Sequence, residues 1–364
     1  MIGSKVGIPR ALLYYHYFPM WRAFFEALGA EVVVSAPSTK SVLDRGVALA
    51  VEDACLPVKL ALGHVAELAG KVDYLFLPRL VSVACREYIC PKFLGFPDLV
   101  RQTISGLPPV IDVNVNLYRR KNELYAAFRA AGKMFSLAGE ARLFLAYRRG
   151  LAAQDKYRSL LEDGFLPEEA MKLLAGPGSR DSRPAGKDKT GPEAGPVLPQ
   201  REVLPLRETL RPGKEKFLVA VIGHPYNIYD AYISMNIIKK LRQSGAAVIT
   251  ADQVPEAVAR REAASLPKRL FWTLNQQMTG AAFYFLRDGR AQGLLQVTSF
   301  GCGPDSMTGE LITRQAYSNS NGTVPFLDLV LDEHSGEAGL VTRLEAFLDM
   351  VGQQKQGLGI GELP

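Results

Sequence analysis

Four cysteines, Cys55, Cys85, Cys90 and Cys302, are the only thiols in a chain of 364 residues. Their settings are Asp53-Ala-Cys55-Leu-Pro57-Val-Lys59, Ala84-Cys85-Arg86-Glu-Tyr-Ile-Cys90-Pro91-Lys92 and Phe300-Gly301-Cys302-Gly303-Pro304-Asp305. Glycine and proline flank them, as expected where backbone turns tightly around a bulky group. Prolines after Cys55 and Cys90 suit the first turn of a helix, whose positive end favours a thiolate. The four are expected to converge on one metal centre, with an iron–sulfur cluster, of the [4Fe-4S] type, as the leading reading. A structural zinc ion and separate buried thiols are the alternatives. The intervals of 29, 4 and 211 residues between them match neither the paired ligands of zinc fingers nor the compact runs of ferredoxins.

Other polar groups have positions that suit chemistry. The turn His224-Pro225-Tyr226-Asn227 follows an apolar strand, so His224 either lines a cleft or holds the turn by hydrogen bonds. Asp332-Glu333-His334-Ser335-Gly336-Glu337 follows the last strand. Glu333 and His334 are acid–base candidates there, against the alternative of a solvated helix-capping turn. Asp53, Arg79 and Arg86 either tune the charge of the centre or form ordinary surface ion pairs. His64, in mid-helix, reads as packing, and the aromatic run from Tyr14 to Phe25 as the buried face of a helix. No phosphate-binding glycine loop, nucleophile elbow, metalloprotease pair or kinase set is present.

The elements that must hold these residues repeat. Lys5–Pro9 reads as a strand, Leu12–Leu28 as a helix closed by Gly29, and Glu31–Ser35 as a second strand. The same order returns as strand 216–222, helix 229–244 closed by Gly245, and strand 246–250. Further strands are expected at 72–77, 110–113, 293–298 and 324–331. Helices are expected at 39–51, 57–69, through 121–174, at 268–286 and at 339–351. Such βαβ units imply parallel sheets. The expected fold is α/β, with two Rossmann- or flavodoxin-like lobes and an interlobe cleft at the carboxyl ends of their strands. The expected domains are an N-terminal lobe with a helical extension over 1–175, a linker over 176–215, a C-terminal lobe over 216–352 and a tail over 353–364. The linker is inferred from composition: 13 of the 38 residues from Gly176 to Gly213 are Gly or Pro and apolar periodicity disappears.

Hydrophobic residues make up 48% and charged residues 22%, the profile of a soluble globular chain. The net charge is +6, and residues 173–216 alone hold nine basic against six acidic residues. Half the excess therefore sits in the linker, and no nucleic-acid partner is expected. Neither a signal peptide nor a transmembrane helix is read, so a cytoplasmic location is expected.

The strings Gly7-Ile-Pro-Arg10, Glu52-Asp-Ala-Cys-Leu-Pro-Val-Lys59, Leu77-Pro-Arg79, Cys90-Pro-Lys92, Ser299-Phe-Gly-Cys-Gly-Pro-Asp305 and Leu331-Asp-Glu-His-Ser-Gly-Glu-Ala-Gly339 together resemble the acyl-CoA dehydratase activase-related proteins that carry the DUF2229 module. These are similar in turn to 2-hydroxyacyl-CoA dehydratase subunits and double-cubane cluster proteins. The resemblance implies two flavodoxin-like lobes with an iron–sulfur cluster between them, held by Cys55, Cys85, Cys90 and Cys302. It implies an anaerobic, low-potential setting, a partner ATPase of the actin/Hsp70 class, and a homo- or heterodimer. The chain lacks the phosphate-binding glycines of such an ATPase, so the ATPase would be a separate component. The dehydratase subunits hold their cluster with three cysteines and leave one iron open; a fourth cysteine ligand would close that site. The expected function is acceptance or relay of low-potential electrons, the alternative a dehydratase- or reductase-like enzyme acting on an acyl-CoA or similar small substrate. A cluster ligated from both lobes would also help to tie them together.

Overall fold

The computed structural model describes residues 3–120, 123–135, 138–175, 217–318 and 324–355. The first half runs β1 (Lys5–Ile8), α1 (Tyr14–Ala27), β2 (Glu31–Val34), α2 (Lys40–Leu49), α3 (Leu56–Leu68), β3 (Tyr74–Phe76), β4 (Arg79–Ser82), α4 (Pro91–Thr103), β5 (Val110–Ile111), β6 (Asn114–Asn116), α5 (Glu123–Phe135), α6 (Glu140–Glu162) and α7 (Pro167–Ala175). The second runs β7 (Phe217–Gly223), α8 (Pro225–Ile228), α9 (Ile237–Gln243), β8 (Ala246–Thr250), α10 (Glu256–Ala263), α11 (Thr273–Asp288), β9 (Gly293–Ser299), α12 (Gly303–Tyr317), β10 (Phe326–Leu331) and α13 (Glu337–Lys355). A 3₁₀ turn, Ala251–Gln253, follows β8.

The fold is α/β with parallel pairing, as expected. One four-stranded sheet has the order β2-β1-β3-β5 and another β10-β9-β7-β8, and β4 pairs with β6. In each large sheet the strand that opens its half (β1 or β7) lies between the next strand and a later one, and the chain returns through helices. Gly29 (φ 93°) and Gly245 (φ 86°) close the helices before β2 and β8 in left-handed backbone, which costs glycine little because it has no Cβ. The expected linker at 176–215 and most of the expected tail at 353–364 lie outside the described residues. Among the described residues no helix is long and apolar enough to cross a membrane.

Side-chain alternation along the strands divides the core. From β7, Phe217, Val219 and Val221 enter one apolar cluster, while Leu218, Ala220 and Ile222 enter another. From β1 and β3, Val6, Ile8 and Phe76 join the same cluster as Val219, and Leu75 packs on the opposite face of the first sheet. This is the period of two that a strand buried on both faces must show. One continuous apolar layer therefore runs between the two halves, with Tyr15 against Tyr229 and Phe93 against Tyr226. The halves do not depend on a metal alone to stay together.

Three local features differ from the sequence expectation. The expected helix over 229–244 is reduced to a run of turns and the short α9, and α8 ends just before it. The Asp230 carboxylate accepts the amides of Tyr232 and Ile233, both at 3.0 Å, and Met235 and Asn236 take φ of 50° and 57°. Side-chain capping inside a helical pattern offers the backbone another partner and stops the helix. The expected helix over 268–286 begins only at Thr273, after an isolated bridge between Tyr88 and Trp272. The β4–β6 pair was not expected: β4 is four residues long and follows Leu77-Pro78, so it carries little pattern of its own.

Helices α2 and α3 cross at two glycines. A Cβ on Gly46 would lie 1.9 Å from the Lys59 carbonyl oxygen, and one on Gly63 would lie 2.0 Å from that of Val42. The contact fixes α3, and with it the cysteine at its start.

Candidate metal centre

Four helix starts meet at one cavity. Cys55 is the residue before α3, Cys90 before α4, His224 before α8 and Cys302 before α12, and each helix has proline in its first two positions. Proline needs no amide partner in the first turn, and directly after Cys90 and His224 it also holds the residue before it in extended backbone. The sequence therefore turns sharply at each of these residues and leaves the side chain at the helix mouth. Two of the four come at the carboxyl ends of strands, His224 directly after β7 and Cys302 three residues after the end of β9, the edge where parallel sheets present ligands. Cys55, Cys90, Cys302 and His224 line the cavity together with Leu12, Lys92, Tyr226, Trp272 and Asn275. The two halves of the chain thus contribute two residues each to this set.

Cys85 stands apart. It is exposed and does not line the cavity. The segment between it and Cys90 is fastened to the second half instead. Glu87, fully buried, accepts from Arg260 and from Arg269, the latter at 2.6 Å. The Tyr88 amide donates to the Phe271 carbonyl at 2.7 Å, and the Thr273 amide to the Tyr88 carbonyl at 2.9 Å. This clasp positions Cys90 and leaves Cys85 on the outer side of the loop, where Arg86 adopts φ 58°.

The three cavity thiols share an electrostatic setting. Burial pushes each of them above the ordinary thiol range. At Cys302 the negative charge of Asp305 adds to it. The amides of Val58, Lys92 and Asp305 and the Lys92 ammonium act in the opposite sense on the cysteine nearest each. These amides stabilise negative charge on sulfur without meeting the geometry of a capping hydrogen bond. Without a metal the thiols are held protonated; a cation would displace the protons and meet three thiolates at helix N-termini.

Asp305 organises the floor of the site. It is 2% exposed and accepts from Asn275 Nδ2 at 2.8 Å, and its Oδ1 lies 3.0 Å from His224 Nε2. Its carboxyl is held below the usual range although burial opposes this, because the His224 charge and hydrogen bonds from His224, Cys302 and Asn275 outweigh it. The His224 ring stacks on Tyr226 at 4.8 Å. His224 Nδ1 and Asp305 Oδ2 are buried and have no hydrogen-bond partner among the described residues. Ligand atoms of His224, Cys302 and Asp305 all lie within 4.8 Å of one another.

The other candidates are placed elsewhere. Glu333 does not line this cavity; its Oε1 pairs with Lys59 Nζ. His334 is an exposed turn residue whose amide donates to Asp332 Oδ1 at 2.9 Å. Arg79 pairs with Asp98 and Asp112 on the surface side of β4, and Arg86 is exposed. Asp53 touches the site only through its carbonyl, which accepts from Lys92 Nζ at 3.3 Å. His64 is fully buried, and its Nε2 lies 2.9 Å from Ser38 Oγ. Sequence reasoning missed Asp305 and Asn275, because the Asp305 contact with His224 spans 81 residues and the Asn275 contact with Asp305 spans 30. The one sequence signal for the convergence was the repeated proline one residue after His224 and Cys90 and two residues after Cys55 and Cys302.

The donor set fits a thiophilic metal: three soft thiols with an imidazole beside them select iron–sulfur or zinc over hard cations. The space between them, about 30 Å³ of water-accessible volume, is roughly that of one water molecule. A single ion fits that space directly.

A family model described as the CoA enzyme activase uncharacterised domain, DUF2229, matches residues 5–254. The chain belongs to this family. The DUF2229 span contains Cys55, Cys85, Cys90 and His224, whereas Cys302 and Asp305 lie beyond it. No curated protein matches the chain. The DUF2229 region therefore ends inside the second half of the fold, and the candidate centre is completed by residues C-terminal to it.

Proposed function

We propose that this member of the activase-related family is a redox protein whose iron–sulfur centre is held by Cys55, Cys90 and Cys302. The observation that carries this reading is that these three cysteines, each at a helix start, line one cavity from both halves of the chain. Such a centre would supply low-potential one-electron chemistry. Cys85 lies outside the cavity lining, so three thiolates would hold the centre and leave one position facing His224, Asn275 and Tyr226. His224 either occupies that position or gives way to a small substrate. The second case favours a dehydratase- or reductase-like enzyme over a closed electron relay. Family membership supports a partner ATPase as electron donor; that ATPase, a cytoplasmic setting and dimeric assembly are parts of the same proposal.

The protein's own groups have definite tasks in this scheme. Asp305 and Asn275 fix His224, and Tyr226 covers its ring. Lys92 and the three helix N-termini stabilise the thiolate charge. A second reading, a single zinc ion, is favoured by the small volume and by the close grouping of His224, Cys302 and Asp305.

Anaerobic reconstitution with iron and sulfide decides between the two. The expected product is brown, with about four iron and four sulfide per chain. Cys55→Ser, Cys90→Ser and Cys302→Ser should each abolish stable loading, whereas Cys85→Ser should load as the parent does. A colourless protein retaining one zinc would overturn the cluster, and loss of loading in Cys85→Ser would overturn the three-thiolate set.

A further inference from the structure

A second cavity lies beside the first, and the mechanism proposed above does not use it. It encloses about 160 Å³ between the two halves, and Leu274 lines both cavities. That volume is room for about five water molecules or a small organic ligand. The α1 and α6 side chains His16 and Gln154 face Asp252 and Gln277 across it.

Four acceptor atoms of its lining residues lack donors among the described residues. Gln154 Oε1, Asp252 Oδ2, Gln277 Oε1 and His16 Nδ1 are buried, and none has a hydrogen-bond partner among the described residues. The amide orientations are set by their other ends. Gln154 Nε2 donates to the His16 carbonyl at 2.8 Å, and Gln277 Nε2 donates to the Val254 carbonyl at 2.9 Å. Each oxygen is therefore the free end. Asp252 Oδ1 accepts from the Tyr229 hydroxyl at 2.6 Å, which leaves Oδ2 as the free atom. Buried acceptors left without donors are costly, and a site built this way is complementary to a donor. Charge points the same way: two arginines, Arg158 and Arg260, line the cavity against three acids, Glu162, Asp252 and Glu256. Arg158 and Arg260 both pair with Glu256, and Arg260 also pairs with Glu87. Asp252 has no such partner.

We propose that this cavity binds a small organic cation with N–H donors, of the guanidinium or primary-ammonium class, seated against Asp252. The three side-chain oxygens and the imidazole nitrogen would supply its acceptors once these side chains turn toward the ligand. His16 can serve as an acceptor because burial and the neighbouring His224 and Arg158 charges lower its pKa to about 3, which keeps the ring neutral. Burial also raises the Asp252 carboxyl, and a bound cation would restore its charge. The inference does not depend on the identity of the metal centre.

The test is titration of the metal-free full chain with methylguanidinium, followed by ligand-observed NMR and calorimetry. Acetate and glycerol serve as the anionic and neutral probes. Saturable binding of methylguanidinium is expected, with neither control competing. Asp252→Asn should weaken it at least tenfold while keeping the Tyr229 contact. Gln277→Met, which removes an acceptor without touching the carboxylate, should weaken it severalfold and covers the case in which the first variant folds poorly. Absence of binding, equal binding of glycerol or acetate, or unchanged affinity in both variants would overturn the proposal.

Discussion

Lys59 Nζ lies 2.5 Å from Glu333 Oε1, one helical turn beyond Cys55 and across the boundary between the two halves. The lysine side chain is 5% exposed and the glutamate 19%. Burial opposes ionisation of Glu333, yet the hydrogen bond and charge of Lys59 hold its carboxyl below the usual range. The acidic turn after β10 therefore serves as an anchor for the helix that begins at Cys55.

Removing one partner should be asymmetric. Glu333→Gln leaves a buried ammonium without its counter-charge and should cost roughly 2–3 kcal/mol, because breaking a buried pair is expensive and partial exposure relieves some of it. Lys59→Met leaves the more exposed carboxylate and should cost about 1 kcal/mol. Urea midpoints of the two variants measure this. Equal losses would contradict the burial argument.

The α2–α3 crossing gives a steric prediction. Gly63→Ala and Gly46→Ala each drive a Cβ into a backbone carbonyl, and neither helix can yield without moving. Each should lose about 2–3 kcal/mol, at the upper end of overpacking costs. Gly95→Ala in α4 meets no atom within 4 Å and should gain up to about 1 kcal/mol from helix propensity. Thermal melts of the three side by side give the comparison.

Asp305→Asn should make Cys302 more reactive. The Asp305 charge is among the causes that raise this thiol, so its removal increases the thiolate fraction at a given pH. Iodoacetamide should alkylate Cys302 faster in the metal-free variant than in the parent, as peptide mass mapping would show. A slower reaction would mean that Asp305 acts on the thiol chiefly by position.

His64 makes stability depend on pH. Burial lowers its pKa from 6.5 to about 4, so the unfolded chain binds the proton more readily than the folded one. Stability from this residue is complete above pH 6.5 and is lost as pH falls from there towards 4. The loss is on the order of 3 kcal/mol. His16, lowered to about 3 by burial and by the His224 and Arg158 charges, acts in the same sense. His64→Gln should therefore reduce the slope of stability against pH between 6.5 and 4 without abolishing it. A slope identical to the parent's would show that His64 is not the group responsible.

The parts of the fold that could be read in the sequence are those with strong local periodicity. Eight strands, among them Phe217–Gly223 and Gly293–Ser299, carry short apolar runs and are found where the pattern places them. The pattern at 229–244 is also apolar and helical, but Asp230 supplies a competing cap and the helix breaks. The candidate site divides the same way. The turns at Cys55, Cys90, His224 and Cys302 are local consequences of proline and could be read directly. The exclusion of Cys85 could not, because it follows from Glu87 meeting Arg260, a contact across 173 residues. Nor could Asp305 beneath His224 be seen, for the same reason.

The apolar layer that Val6, Ile8, Val219 and Val221 enter together bears on cooperativity. Two sheets with wholly separate cores would melt as independent units. Here the largest apolar cluster is shared, so opening either half exposes the inner face of the other. Heating should give one transition, with a calorimetric enthalpy matching the van't Hoff value. What topology draws as two halves is, in energy, a single folding unit.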